Sequence, residues 1–348
     1  MIPKLLNPIG QATALCQATG QVFERLRQIA WLRVVALMAL MLWGGTASAQ
    51  IAPANQGNTP DPIASTQLDQ SNQSEQKKSA NSPIDKNAAL LEKYAQLSGS
   101  LASNAYGRPL FLESLETAST VNGDVYAVLN SPYATVSNKF KNEHNWCEVM
   151  ILPINTKYCH ETSVGGRPGL RVHIGKKTEQ DLADTFGLDF NFNVTAASPK
   201  FVAVQLNAIK GPLGTHHYKI ELSALPLPDG KTYMHLHYEY SYGFTSRLAM
   251  QAYLATVGNG KVGFTRLNGT YVDGMRGAVE RNTMRYYLAI DAYLANMASP
   301  AAQQFDGRLE YWFTATQKYP AQFGDIEKSA YLTMKKNEYQ RQQTSPGS

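Results

Sequence analysis

Between Thr185 and Thr195 apolar and polar side chains alternate: Leu188, Phe190, Phe192 and Val194 fall on one side of an extended chain, and Asp189, Asn191, Asn193 and Thr195 on the other. A β-strand with one buried face has that period. A strand needs hydrogen-bonding neighbours, so this segment commits the chain to a sheet that is apolar on one face. The same reading marks strands at 124–129, 148–154, 169–175, 201–206, 216–224 and 231–242, seven in all. Within 169–175, Leu170, Val172 and Ile174 share a face. The last two strands are joined by Pro228-Asp229-Gly230, where proline fixes one dihedral and glycine permits a positive φ, so they read as a hairpin. Short connections of this kind predict an antiparallel meander.

Helical periodicity brackets the sheet. Residues 89–101 place Leu90, Leu91, Tyr94 and Leu97 on one stripe, and 132–146 place Val136 and Phe140 one turn apart. After the last strand, 245–256 reads as an inserted helix. A long helix is expected over 272–297, with Met275, Val279, Tyr286, Ile290, Tyr293, Leu294 and Met297 recurring near the α-helical period. Such a helix is made to lie on an apolar surface. Helices at 301–318 and 326–340 follow, with charges that suit ordinary surface packing.

The start of the chain reads differently. An apolar run from Val34 to Trp43 follows Arg25, Arg27 and Arg33 and ends in Gly44, Gly45 and then Ala47-Ser48-Ala49. Basic flank, short apolar core and small-residue end make residues 1–49 a secretory signal peptide, cleaved after Ala49. An uncleaved anchor is the alternative, but a span needs about 20 apolar residues. Cys16 lies upstream of the run, so it is not a lipoprotein cysteine. Residues 50–87, rich in Gln, Asn, Ser, Pro and Ala, read as a disordered linker. The expected location is periplasmic or secreted. There, Cys147 and Cys159 most simply pair as a disulfide; a metal site with His160 or a catalytic thiol are the other readings. The formal net charge is +5, but the first 49 residues hold four basic side chains against one acidic, so the remainder is nearly neutral. With no Lys/Arg block in it, that remainder argues against a nucleic-acid partner held by phosphate neutralisation.

Strand, helix pair, six antiparallel strands and a long C-terminal helix, in that order, resemble the START-like superfamily, the helix-grip fold of lipid-transfer, polyketide-cyclase and pollen-allergen-like proteins. The local match lies after the first strand, where Ser131-Pro132 opens a helix, Val136 and Phe140 face inward and 142–146 closes it on Trp146. The similarity spans 122–299. The two cysteines, the 245–256 helix and the two helices after Pro300 depart from it. The resemblance implies an α+β domain at 88–345: a curved seven-stranded antiparallel sheet wrapped on a long C-terminal helix, plus extra C-terminal helices. It also implies a cavity between sheet and helix that holds a hydrophobic, lipid-like molecule.

Candidate lining residues are Phe190, Phe192, Tyr218, Ile220, Leu222, Leu236, Tyr238 and Tyr240 from the sheet and Val279, Tyr286 and Ile290 from the helix. For any one of them, filling a solid core is the plainer reading. Nineteen tyrosines against twelve phenylalanines argue for the cavity, because each buried hydroxyl needs a partner and an amphipathic ring suits a ligand with a polar end. Arg171, His173 and the tyrosines of 238–242 are the candidates for orienting that end, and the glycines of 165–169 and 258–263 mark where a gate could flex. His235 and His237 share one strand face and raise a zinc reading. The hairpin register turns them outward beside Glu221 and Lys219, where a solvated polar face explains them, so no metal is expected. No G-x-S-x-G, H-E-x-x-H, P-loop or G-x-G-x-x-G occurs, and no cofactor is implied. The expected function is an exported binding or carrier protein rather than an enzyme, with transient membrane or envelope-protein contact. The alternatives are a cyclase- or hydrolase-like enzyme in the same cavity, and an interaction module docking a partner through Tyr311, Trp312 and Phe313.

Overall fold

The structure is a computed structural model that describes residues 83–344 except residue 257. The segments expected as signal peptide and, for nearly all of its length, as linker lie outside the described residues. Helix α1 (Pro83–Ala102) begins inside the segment expected as linker, and β1 (Leu110–Glu116) and β2 (Thr120–Leu129) follow as a hairpin. Next come α2 (Tyr133–Phe140), α3 (Glu143–Met150), β3 (Thr156–Val164), β4 (Arg167–Ile174), β5 (Phe186–Ala197), β6 (Val202–Lys210), β7 (His216–Pro226) and β8 (Thr232–Ser241). The chain continues through α4 (Phe244–Thr256), a two-residue-strand hairpin of β9 (Arg266–Leu267) and β10 (Thr270–Tyr271), α5 (Gly274–Ala295), α6 (Ala301–Thr316), α7 (Pro320–Phe323) and α8 (Lys328–Thr344).

The main sheet has eight strands in the order β1-β2-β8-β7-β6-β5-β4-β3, every neighbour antiparallel. This is the antiparallel meander expected, with one strand more than the sequence reading counted. Two strands, β1 and β3, were missed, and the segment 148–154 is not a strand. Glu148 to Met150 finish α3, and 151–155 is a turn. An unbroken apolar run does not distinguish a buried strand from a buried helix. Here Asn142 decides it: its extended backbone and a side chain that accepts from the His144 amide at 2.8 Å cap a new helix. The same cap splits the helix expected over 132–146 into α2 and α3. Val136, Phe140 and Trp146 are buried as expected.

The β3–β4 turn is Gly165-Gly166, with φ of 61° and 77°, between the paired residues Val164 and Arg167. Two consecutive positive φ values make a two-residue hairpin whose twist matches its strands, and glycine takes both without a Cβ penalty. Helix α5 lies across β1, β2 and β8. It passes tightly over Gly123 of β2, where a Cβ would stand 2.5 Å from Thr283 Oγ1 and 3.5 Å from the Val279 carbonyl.

The other sheet face is covered too. Leu90, Leu97 and Leu101 of α1 pack with Tyr126, Phe201, Ala203, Leu225, Leu227 and Tyr233, whereas Leu91 is exposed. Helices α6 and α8 belong to the core instead of decorating the surface. Trp312 and Phe313 are buried, so the exposed patch required for the interaction-module reading is not formed. Lys157 of β3 and Lys335 of α8, both with 0% of the side chain exposed, share Glu338 between them. The disulfide Cys147–Cys159 joins α3 to β3, with 5.2 Å between Cα atoms. Among the described residues, no helix is long and apolar enough to cross a membrane.

Candidate functional site

Alternation along β7 and β8 turns Tyr218, Ile220 and Leu222 inward beside Leu236, Tyr238 and Tyr240, in the register Ile220 to Tyr238 and Leu222 to Leu236. Phe190 and Phe192 of β5 share this inner side, Phe192 opposite Leu206 and Phe190 opposite Leu170. Leu222, Leu236, Val279 and Ile290 are fully buried and fill the core. The tyrosines form a separate group. Tyr218 stacks on Tyr240 with ring centres 5.3 Å apart, and Tyr286 reaches down from α5 to within 5.6 Å of Tyr238. Tyr286 remains partly accessible, unlike the fully buried Ile290 one turn further on.

Three hydroxyls in this region are held. Tyr218 shares a hydrogen bond of 2.7 Å with Thr215, Tyr242 donates to the Thr117 carbonyl at 2.7 Å, and Tyr238 meets the Asn282 side chain. Among the described residues, none bonds the hydroxyls of Tyr240 and Tyr286, yet neither is a sealed-off polar atom. Burial pushes the Tyr286 phenol up to about 12 against the opposing charge of Arg285, and raises Tyr218, Tyr238 and Tyr240 further, with neighbouring phenols adding to the effect for these three.

A polar chain leads away from the tyrosines. Arg285 donates to Asn282 Oδ1 at 3.0 Å and to Asp325 at 3.1 Å, and Lys177 and Lys261 reach the same carboxylate at 2.7 and 3.4 Å. Burial alone would raise the Asp325 carboxyl; Arg285 and the lysines more than offset it and hold it below the usual range. Arg281, one turn before Arg285, is pulled down to about 10 by burial and by that neighbour. The region is therefore rich in cations around a single shared carboxylate. A void of about 10 Å³, room for one water, is lined by Arg285, Asp325, Trp312 and Phe313. A larger open groove of about 390 Å³ lies elsewhere, between α2 (Tyr133, Ser137, Lys141) and the β5–β6 turn at Ser198 and Pro199.

Two expected site residues are placed apart from the rest. Arg171 and His173 alternate with the buried Leu170 and Val172 and so occupy the other sheet face. Arg171 pairs with Asp189 at 2.7 Å, and His173 bonds Thr185 at 2.8 Å. Strand parity was the available signal, since Leu170, Val172 and Ile174 had already claimed the inner face. The sequence reading missed Asn282, Arg281 and Arg285, polar residues of the long helix outside its apolar stripe, whose placement only the packing of α5 reveals. The 258–263 segment, expected to flex, is tied down: Arg281 donates to the carbonyls of Lys261 and Val262, and Gln322 to that of Gly263. The fully buried Glu280 accepts from the neighbouring amides of Phe264 and Thr265.

No protein-family model matches the chain, and no curated protein does. Similar solved structures include the lipid transfer and protein localization domain of human StarD13, with TM-score 0.27 and 9% identity over 41% of this chain and 76% of that one. Human STARD10 aligns at TM-score 0.28 and 7% identity over 73% and 89% of the two chains. The Zhui aromatase/cyclase of Streptomyces sp. R1128 aligns at 0.26 and 11% over 58% and 94%. These are members of the START-like superfamily that the sequence resembles. At such TM-scores they carry no argument about this chain; strand order and the seat of α5 on the sheet are what make the fold helix-grip-like.

Proposed function

We propose that the protein binds a hydrophobic, lipid-like molecule with a polar end at the tyrosine cluster between β7, β8 and α5. The observation that carries this is the packing of Tyr218, Tyr238, Tyr240 and Tyr286 around one another, with ring centres 5.3–6.3 Å apart, and the hydroxyls of Tyr240 and Tyr286 left without a hydrogen-bond partner among the described residues. Hydroxyls without a protein partner at the edge of an aromatic group are free to bond the polar end of a ligand whose apolar part lies against the rings. The rings would flank the apolar body, contributing about 25 cal/mol per Å² of ligand surface buried. Asn282, Arg281 and Arg285 would hold an end that accepts hydrogen bonds or is anionic.

The site is filled by its own side chains in the state described, so loading requires the rings to turn and the cover to lift. Helix α4 is that cover. Met250 and Leu254 pack against the core, while Phe244, Leu248 and Tyr253 are exposed. Exposed apolar side chains on the cover suit transient contact with a membrane, where an apolar cargo would be exchanged. Export behind a cleaved signal peptide is part of the same proposal, and detection of the mature N-terminus after Ala49 tests it.

Native mass spectrometry of protein isolated from its own host tests the binding reading. A co-purifying apolar species, retained by the unaltered protein and lost when Tyr286→Ala or Arg285→Met is introduced into a chain that still folds, is the expected result. Protein that arrives empty and takes up no fluorescent fatty acid or phospholipid probe overturns it. Chemical turnover of the bound species, abolished by Tyr240→Phe with retention intact, would move the reading to an enzyme of the same fold.

A further inference from the structure

On the sheet face opposite the tyrosines, three metal-ligating side chains converge. His235 and His237 alternate on β8, and Asp124 stands directly across from His237 on β2. His235 Nε2 and His237 Nδ1 each lie 2.8 Å from Asp124 Oδ1, and the three donor atoms fall within 4.8 Å of one another. The surroundings hold them in place. Asn122 donates to the other carboxylate oxygen at 2.8 Å, leaving Oδ1 to the imidazoles. The Tyr126 ring stacks on His235 at 4.3 Å with the planes 3° apart. Glu239 comes within 4.0 Å of His237 Nε2, the nitrogen turned away from Asp124. The nearby cations Lys86 and Lys219 are both occupied by Glu221, at 3.2 and 3.1 Å.

We infer that Asp124, His235 and His237 form a binding site for a divalent transition-metal ion, zinc above all. Two imidazoles and a carboxylate suit Zn²⁺, and hard alkaline-earth ions prefer all-oxygen sets. Ligand bonds of about 2.0–2.2 Å bring tetrahedral donors to within about 3.5 Å of each other, so small side-chain rotations close the site around an ion. The ion replaces the imidazole protons that now point at Oδ1. A carboxylate near the far nitrogen of a ligating histidine is the usual outer support. Three protein ligands leave a fourth position open, and it faces solvent: 22% of the His235 side chain, 18% of His237 and 11% of Asp124 is exposed. The site is independent of the tyrosine cluster, which occupies the other face.

Tag-free, chelator-stripped protein titrated with ZnCl₂ in a calorimeter tests this. One equivalent should bind, MgCl₂ should not compete, and His237→Gln should weaken binding about 100-fold or more. The pair His216 and His217, whose Nδ1 atoms are 3.0 Å apart, is the competing locus; His216→Gln with His217→Gln should leave the affinity unchanged. Co²⁺ added to the unmutated protein should give visible d–d bands of a tetrahedral or five-coordinate site without thiolate charge transfer, a readout that needs no variant. Absence of a stoichiometric Zn²⁺ isotherm, or binding that survives His237→Gln and is lost with His216 and His217, overturns the assignment.

Discussion

At Gly123 the absence of a side chain lets α5 rest on β2. An alanine Cβ there would press on Thr283 Oγ1, which donates to the Val279 carbonyl at 2.9 Å and cannot swing away freely on a β-branched side chain. Gly123→Ala is expected to cost about 1–3 kcal/mol in urea unfolding, as overpacking does, and Thr283→Ala in the same chain should recover part of it. Additive losses would place the strain elsewhere. Glu338 matters through charge. The Lys157 and Lys335 ammoniums are both 0% exposed and share its carboxylate, and burial pulls Lys335 down to about 8. Glu338→Gln leaves two buried cations without a counter-charge, and a loss of about 3–5 kcal/mol should appear in the same assay. An unfolding midpoint unchanged by that substitution would show that backbone carbonyls alone sustain both lysines.

Among the elements, α3 and β3 depend on each other. Cys147 and Cys159 are 12 residues apart in sequence, and their bond ties a short helix to the edge strand of the sheet. Cys147→Ala with Cys159→Ala should lower stability by about 3 kcal/mol, the loop-closure value for a ring of this size. Thermal melts with and without reductant should show the same difference in the unaltered protein; identical melts would mean that the bridge does not form in solution. These two elements were also the least legible in the sequence. From Val149 to Ile154 the run is apolar throughout, so period could not separate strand from helix. Thr156–Val164 mixes buried Tyr158 and Cys159 with the buried Lys157, a residue no binary pattern assigns to an interior. By contrast β5, β7, β8 and α5 were readable because each keeps one face apolar over several repeats.

For the molecule as a whole, its tyrosines predict how it responds to base. Burial pushes the Tyr106 and Tyr286 phenols up to about 12 and raises several others beyond that, against an unfolded value near 10. A group whose folded pKa is raised gives stability that is complete below the unfolded value and is lost as pH climbs through the folded one. The fold should therefore weaken between pH 10 and about 12, with tyrosinate absorbance rising in step with the loss of circular dichroism. Ionisation of these phenols near pH 10 with dichroism unchanged would contradict their enclosure.

Periodicity settled in advance that an antiparallel sheet would carry its apolar face against a long helix, because side-chain direction repeats with backbone geometry and can be read locally. Proximity between distant strands is another matter. Asp124 meets His237 across 113 residues only because β8 returns beside β2. The outward histidines were legible, but the carboxylate between them was not, and neither was the inward turn of Arg285 or the burial of α8. Strand order and helix seating come from closure of the whole chain around its core, a global balance of burial that no local window contains.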